Sequence, residues 1–379
     1  MAEIKNLMII CGEPSGDLHA GNLAQEIKKL NPAIKITGVG GASLKRSADE
    51  IICDIKELAV FGFFDVIKKL PRFFRLKRTV LEKIEKDRPD ALILVDFSGF
   101  NLRLAKAINK KITVIYYVSP QVWASRKGRL KTIKKYIHKM VVLFKFEEEF
   151  YHKCGIDAVC AGHPLLDIVT PSLTKQELLS SLKFSPHKKT IALLPGSRNQ
   201  EIKNILPIML AASSIIARKI PSQFIIAKSP HVEENIYLNE INRFKLDVKM
   251  LEGKTYDCLE IADFCLVCSG TATLETAIMQ KPFCIVYKMN TLNYLLYRPQ
   301  VKVPYIGMVN IVAGENIIPE FIQFKANPAK IAEEALNILN NPDRLRQIKE
   351  GLFKVKASLG ENGAGLRAAK IILDYLTKQ

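Results

Sequence analysis

The sequence predicts two α/β domains, each a doubly wound parallel sheet, facing a cleft. Short β-rich runs alternate with helical patterns from the N-terminus to about residue 168. The alternation stops at a polar stretch holding Pro171, Ser172, Pro186 and His187, then restarts. Runs such as 91–95 are continuously aliphatic, the mark of a parallel strand covered on both faces. A chain of 379 residues is long enough for two such cores. Expected bounds are 1–168 for the first domain and 169–340 for the second, with helices at 341–379 crossing back to the first.

In the first domain, strands are expected at 6–11, 34–39, 91–95, 113–118, 140–144 and 158–160, and helices at 19–30, 101–109 and 129–138. In the second, strands are expected at 190–194, 223–228, 248–251, 264–267 and 283–287, separated by helices at 203–220, 256–262 and 272–279. Strand–helix–strand alternation of this kind closes with right-handed crossovers. The segment from 328 onward carries a helical pattern.

Lysine and arginine exceed aspartate and glutamate by 56 to 38, a net charge of +18, which calls for an anionic partner. Between Asp96 and Glu147 there is no acid, yet twelve basic residues occur. No recognised DNA- or RNA-binding motif accompanies the charge, so nucleic acid is not the expected partner. No apolar run reaches the roughly 18 residues of a membrane span, and no export signal leads the chain. The eight scattered cysteines therefore read as reduced thiols in a cytosolic setting.

Five loops carry candidate chemistry. Gly12-Glu13-Pro14-Ser15-Gly16-Asp17 joins a strand to a helix, where backbone N–H groups of small residues such as Ser15 and Gly16 can meet an anion. Its acids Glu13 and Asp17 are candidate catalytic groups, with an N-cap the alternative for Ser15 or Asp17. The glycine spacing is not that of a dinucleotide fingerprint, which disfavours a dehydrogenase. Asp96 ends an aliphatic strand, the place of a general base in an open α/β sheet, with Asn101 behind it; an N-cap or a structural ion pair is the alternative. Ser119 and the single tryptophan, Trp123, lie on a loop after a strand as candidate substrate contacts, the tryptophan either walling a ligand pocket or packing in the core. In the second domain Ser197 and Arg198 of Leu-Pro-Gly-Ser-Arg precede a helix and suit phosphate oxygens. Ser269, Gly270, Thr271 and Thr273 form a second anion cradle, and Glu275 could accept from vicinal hydroxyls such as a ribose. Cys265-x-x-Cys268 lacks a second pair, so no metal site is expected.

Residues 60–84 are amphipathic: Phe63, Phe73 and Phe74 fall on one face and Arg72 and Arg75 on the other, with Phe64 near the start. This reads as a surface-inserted helix broken at Pro71, or as a core-packed one.

GEPSGD at 12–17, VDFSGFNLRLAK at 95–106, YYVSPQVWA at 116–124, FEEEFY at 146–151, GHPLLD at 162–167, LPGSR at 194–198, SGTATLE at 269–275 and IPEFIQ at 318–323 stand in that order. With these motifs the whole chain resembles the lipid-A-disaccharide synthases. The family pattern has a tryptophan where this chain has Ser125, and prolines where it has Lys145 and Val309. The resemblance implies the glycosyltransferase B architecture of two Rossmann-like domains. It implies transfer of diacylglucosamine from its UDP conjugate to diacylglucosamine 1-phosphate, giving a β-1,6 disaccharide phosphate and UDP, without a metal or other cofactor. It adds Asn310 and Gln323 as contacts near the nucleotide, Asp96 as the base, and peripheral attachment to the cytoplasmic face of the inner membrane.

Overall fold

The computed structural model describes residues 4–57, 63–300 and 303–378; within these, the side chains at 63–70, 292, 296, 297 and 300 lie outside the description. The chain forms two units. One comprises residues up to Leu166 together with those from Leu359 onward, and the other runs Asp167–Ser358.

The first unit holds seven strands: β1 (Asn6–Ile10), β2 (Lys35–Gly40), β3 (Glu50–Asp54), β4 (Ala91–Val95), β5 (Thr113–Tyr117), β6 (Lys139–Val142) and β7 (Ala158–Cys160). Their spatial order is β3-β2-β1-β4-β5-β6-β7, and each neighbouring pair is parallel. The second unit holds β8 (Lys189–Leu194), β9 (Ser222–Lys228), β10 (Val248–Glu252), β11 (Phe264–Cys268), β12 (Phe283–Tyr287) and β13 (Glu320–Ile322). Their order is β10-β9-β8-β11-β12-β13, again parallel throughout. In each sheet the order reverses beside the first strand, between β1 and β4 and between β8 and β11. At such a switch point two loops diverge from adjacent strand ends to opposite faces, which leaves room for a ligand.

The central strands are apolar because helices cover both faces. Every residue of β4 and of β11 is buried. Each such leucine, isoleucine or valine contributes about 1.5–3 kcal/mol relative to an exposed one.

Four features differ from the sequence reading. The first helix begins at Pro14, not near residue 19, because proline at the first helical turn has no N–H to leave unpaired. The edge strands β3 and β13 had no counterpart among the expected elements. Helix Phe63–Asp87 continues through Pro71 instead of breaking there. Its Leu76, Val80 and Ile84 are buried against the first core, and that packing outweighs the lost backbone bond. Finally, the expected C-terminal run is divided. Helix Pro342–Ser358 packs within the second unit, on helices Thr271–Ile278 and Met308–Ala313, with Ile348, Leu352 and Val355 buried.

Only the segment from Leu359 joins the first unit. There helix Ala364–Thr377 lies on helix Pro14–Leu30. A Cβ at Gly365 would stand 2.0 Å from the Asn22 Oδ1, so a larger residue at that crossing would have to displace the Asn22 amide. Arg367 fastens the junction by donating to the carbonyls of Ala161, Glu361 and Asn362.

Candidate active site

In the first unit the loops after β1 and β4 meet. Asp96 follows β4 with a left-handed backbone (φ 47°), and Phe97 repeats it (φ 45°). Left-handed backbone costs on the order of 1–3 kcal/mol per non-glycine residue, and a bulky one such as phenylalanine adopts it rarely. The strain is held by specific contacts. The Asp96 carbonyl accepts from the Tyr116 hydroxyl and from the Asn101 side-chain amide at 2.8 Å, while the Asp96 N–H donates to the Tyr117 carbonyl at 3.3 Å. The Phe97 ring stacks on Phe100, 5.3 Å between centroids, and occupies the space beside Gly12. A Cβ at Gly12 would lie 2.3 Å from that ring, so this loop position requires glycine.

The Asp96 carboxyl is raised to about 6, first by burial and second by the charge of Glu13. Gly16 lies against it, with its Cβ position 3.5 Å from that of Asp96. Glu13 and Ser15 are exposed at the start of helix Pro14–Leu30. Glu13, Ser15, Gly16 and Asp96 therefore belong to one neighbourhood.

Three other expected site residues of this unit prove to be braces. Asp17 is buried, and its oxygens accept from the N–H groups of Gly41 (2.6 Å), Ser43 (2.9 Å) and Leu44 (3.1 Å). It ties the first helix to the end of β2, which is the structural reading of Asp17. Asn101 is fully buried and its amide donates to the carbonyls of Ile10, Val95 and Asp96, which locks the switch point. Ser119 is buried and donates to Glu147 at 2.7 Å.

Glu147 is the hub of that last arrangement. It also accepts from Trp123 Nε1 at 3.1 Å and from the N–H groups of Leu143 and Phe144. Burial raises its carboxyl while these donors lower it. Trp123 stays partly exposed, edge-on to Phe146 at 5.1 Å, so its ring can wall a binding surface while its N–H is committed. Neither Glu147 nor Tyr116 received a role from the sequence, although both stand inside quoted motifs. An acid at the third position of a helix following a strand is the signal that could have exposed Glu147.

In the second unit the loops after β8 and β11 use glycines where the first uses strained residues. Gly196 has φ 115° and Gly270 φ 156°. Ser197 and Arg198 are exposed where helix Asn199–Ala217 begins. Glu201 accepts from the Ser197 N–H at 2.9 Å and pairs with Arg198 at 3.3 Å. Beyond β11, Gly270 and Thr271 are exposed and Ser269 donates to the Ile306 carbonyl at 3.3 Å. Thr273 is fully buried and caps its own turn through the Gly270 carbonyl at 2.8 Å, so it shapes the cradle without lining it. Glu275 accepts from the Tyr256 hydroxyl at 2.9 Å, and burial raises its carboxyl. Ser197, Arg198, Gly270 and Thr271 are thus the exposed donors at the second switch point, since β8 and β11 are adjacent.

Asn310 and Gln323 are not exposed contacts. Asn310 is fully buried, donating to Asn316, Ile318 and Glu320 and accepting from the Ile318 N–H. Gln323 is buried and exchanges two hydrogen bonds with the backbone of Met289. Both hold loops in place, and Glu320, unnoticed in the sequence, does the same for the N–H groups of Ile306 and Gly307.

On helix Phe63–Asp87, Phe73 is half-buried and packs on Phe97 and Phe100, at 6.0 and 6.5 Å, as the core-packed alternative has it. Phe74 is 66% exposed, and Arg72 and Arg75 are exposed as well. The side chains of Phe63 and Phe64 lie outside the described residues. Among the described residues, no helix is long and apolar enough to cross a membrane, and no group of three or more His, Cys, Asp or Glu is placed to hold a metal ion.

The profile of a family described as lipid-A-disaccharide synthetase matches residues 7–372. The chain belongs to the lipid-A-disaccharide synthase family. A synthase of that name from Syntrophus aciditrophicus is 40% identical over 377 residues, covering 99% of this chain and 98% of its own. Among solved structures, a putative UDP-N-acetylglucosamine 2-epimerase from Listeria monocytogenes is similar with a TM-score of 0.67 at 13% identity, covering 100% of this chain and 98% of its own. A glycosyltransferase from Rickettsia africae is similar at 0.60 and 14%, covering 100% of both. These two likenesses show the fold, that of glycosyltransferases and sugar-nucleotide epimerases. Membership of the synthase family makes the chain a glycosyltransferase of lipid A disaccharide synthesis, within lipopolysaccharide assembly.

Proposed function

We propose that the chain transfers 2,3-diacylglucosamine from UDP to the 6-hydroxyl of 2,3-diacylglucosamine 1-phosphate, with Asp96 as general base. The observation that carries this is Asp96 itself, strained, facing the first switch point and raised to about 6. Such a carboxylate is ionised at neutral pH yet basic enough to take a proton as the new bond forms. It removes the hydroxyl proton while that oxygen attacks the anomeric carbon. The bond from that carbon to the diphosphate breaks, UDP leaves with the electron pair, and the configuration inverts.

UDP is assigned to the second unit. Arg198, the Ser197 hydroxyl and the backbone N–H groups of Gly270 and Thr271 meet the diphosphate, and Glu275 meets the ribose. Fixed donors stabilise the charge that grows on the leaving group. To present its fork to phosphate, Arg198 exchanges Glu201 for the ligand, a swap of one anion for another. This assignment makes turnover independent of added divalent metal, which chelation with EDTA checks.

Both substrates are lipids, and the exposed Phe74 beside Arg72 and Arg75 supports peripheral attachment at the cytoplasmic face of the inner membrane. Flotation on vesicles containing phosphatidylglycerol should weaken with salt and weaken further in Phe74→Ser. Unchanged flotation in that variant would remove the helix from the attachment surface.

The decisive experiment supplies purified protein with both acylated substrates and follows the products by mass spectrometry. A disaccharide 1-phosphate with equimolar UDP is expected. Release of UDP without a condensed lipid would overturn the reading.

A further inference from the structure

The carbonyl of Asp96 accepts two side-chain donors. In a β–α connection the first carbonyl beyond the strand ordinarily turns to solvent or to the new helix. Here the chain turns left-handed at Asp96 and Phe97, and the Asp96 carbonyl meets the hydroxyl of Tyr116, a fully buried side chain on the neighbouring strand β5, and the amide of Asn101. A carbonyl oxygen has two lone pairs, and both are taken. The next residue is fixed from its other side. The Phe97 ring is held by Phe73 and Phe100 and fills the space that any side chain at position 12 would need.

We infer that Tyr116 is a positioning residue for the transfer: its hydroxyl, with the Asn101 amide, pins the Asp96 peptide in the left-handed turn that aims the carboxylate. The inference rests on Asp96 being the base. Tyr116 is fully buried and spends its one proton on the backbone, so it acts through Asp96 and not on substrate. The same hydroxyl could only satisfy a buried carbonyl, in which case its removal lowers stability and leaves the chemistry intact. The two roles separate in kinetics.

The test compares Tyr116→Phe, Asp96→Asn and the double variant, with kcat and KM measured for both substrates and a melting curve for each protein. Loss of the pin allows the carboxylate to wander, and misplacement by about an ångström costs up to about a hundredfold. Tyr116→Phe should lower kcat about tenfold, leave both KM values within about twofold, and cause no further loss on the Asp96→Asn background. Wild-type kcat in a folded Tyr116→Phe would overturn the inference, as would a second tenfold loss in the double variant. Near-normal turnover in Asp96→Asn would instead overturn the base assignment, and Tyr116 would fall with it as a positioning residue. Should Tyr116→Phe fail to fold, Asn101→Ala removes the other side-chain donor to the same carbonyl. There too a kcat loss at unaltered KM is expected, and wild-type kcat in the folded variant would overturn the inference.

Discussion

The two units share one topology and use their switch points in opposite ways. In the first, the switch-point turn after β4 places positive φ on Asp96 and Phe97, and the turn after the next strand, β5, places it on Val118; none of the three is glycine. In the second, the turns after β8 and β11 place it on Gly196 and Gly270. A cradle for phosphate works best with bare backbone, because the ligand must approach the N–H groups closely. A base needs a side chain at the turn, so the side chain stays and the strain is absorbed by hydrogen bonds and ring packing around it. The contrast also runs through the charge. The first site raises a carboxylate by burial beside Glu13; the second exposes Arg198.

The largest break in the comparison comes from Asp96→Asn. Removing a general base typically costs about 10²–10⁴-fold in kcat. UDP affinity, measured by calorimetry, should stay within about twofold, because UDP is assigned to the other unit. Lost UDP binding with retained turnover would reverse the roles given to the two units.

Arg198→Ala is the counterpart. A charge-assisted hydrogen bond is worth about 1.5–3 kcal/mol, so kcat/KM for the donor should fall about 10- to 100-fold and UDP affinity should weaken alongside. An unchanged donor KM with unchanged kcat would remove Arg198 from the phosphate site.

The pH dependence sharpens the contrast on the first unit. The Asp96 carboxyl stands at about 6 in the folded protein, against 3.8 ordinarily. The native state therefore holds this proton more tightly than the unfolded chain does. Its stabilising effect is full below about pH 3.8 and lost as pH rises to about 6. Above that, the buried anion is a burden of about 1–3 kcal/mol. Asp96→Asn should accordingly melt higher than wild type at pH 7.5 and lose that advantage towards pH 4. Wild-type kcat/KM should fall about tenfold per pH unit below about 6. A variant no more stable at pH 7.5 would mean that the carboxylate carries no such burden.

The fold was legible because its central strands are continuous aliphatic runs and its loops are glycine-marked. Of the four edge strands, β7 and β10 were legible and β3 and β13 were not. β3 begins and ends with an acid, and β13 is three residues long, so neither shows a buried run. Within the candidate site, motif position separated strand ends from helix starts but could not separate exposed from buried polar groups. Asn101, Asn310, Gln323, Ser119 and Thr273 are buried and donate to protein groups, while Ser15, Ser197, Arg198 and Thr271 are exposed. Both sets look alike in one dimension, since a polar residue near a strand end serves a loop or a ligand equally well. Tyr116 illustrates the same limit. An aromatic residue in a strand reads as core, and only the three-dimensional structure shows its hydroxyl on the Asp96 carbonyl.

The smallest expected effect tests the backbone contrast directly. Gly270 has open space where a Cβ would go, so Gly270→Ala introduces no clash, only an unfavourable φ of 156°. The penalty should be about 1–3 kcal/mol of stability, with weaker UDP binding as the turn relaxes away from its cradle shape. Val118→Gly is the opposite exchange in the first unit. Relief of a β-branched residue at φ 59° gains about 1–2 kcal/mol. Glycine's extra freedom in the unfolded chain takes back about 0.5–1 kcal/mol. The net change should be a small gain, or close to nothing, against a clear loss in Gly270→Ala. Chemical denaturation of the two variants measures both. If Val118→Gly lost as much as Gly270→Ala, the left-handed turn after β5 would not be strained, and the contrast in backbone strain would shrink to the base loop at Asp96 and Phe97.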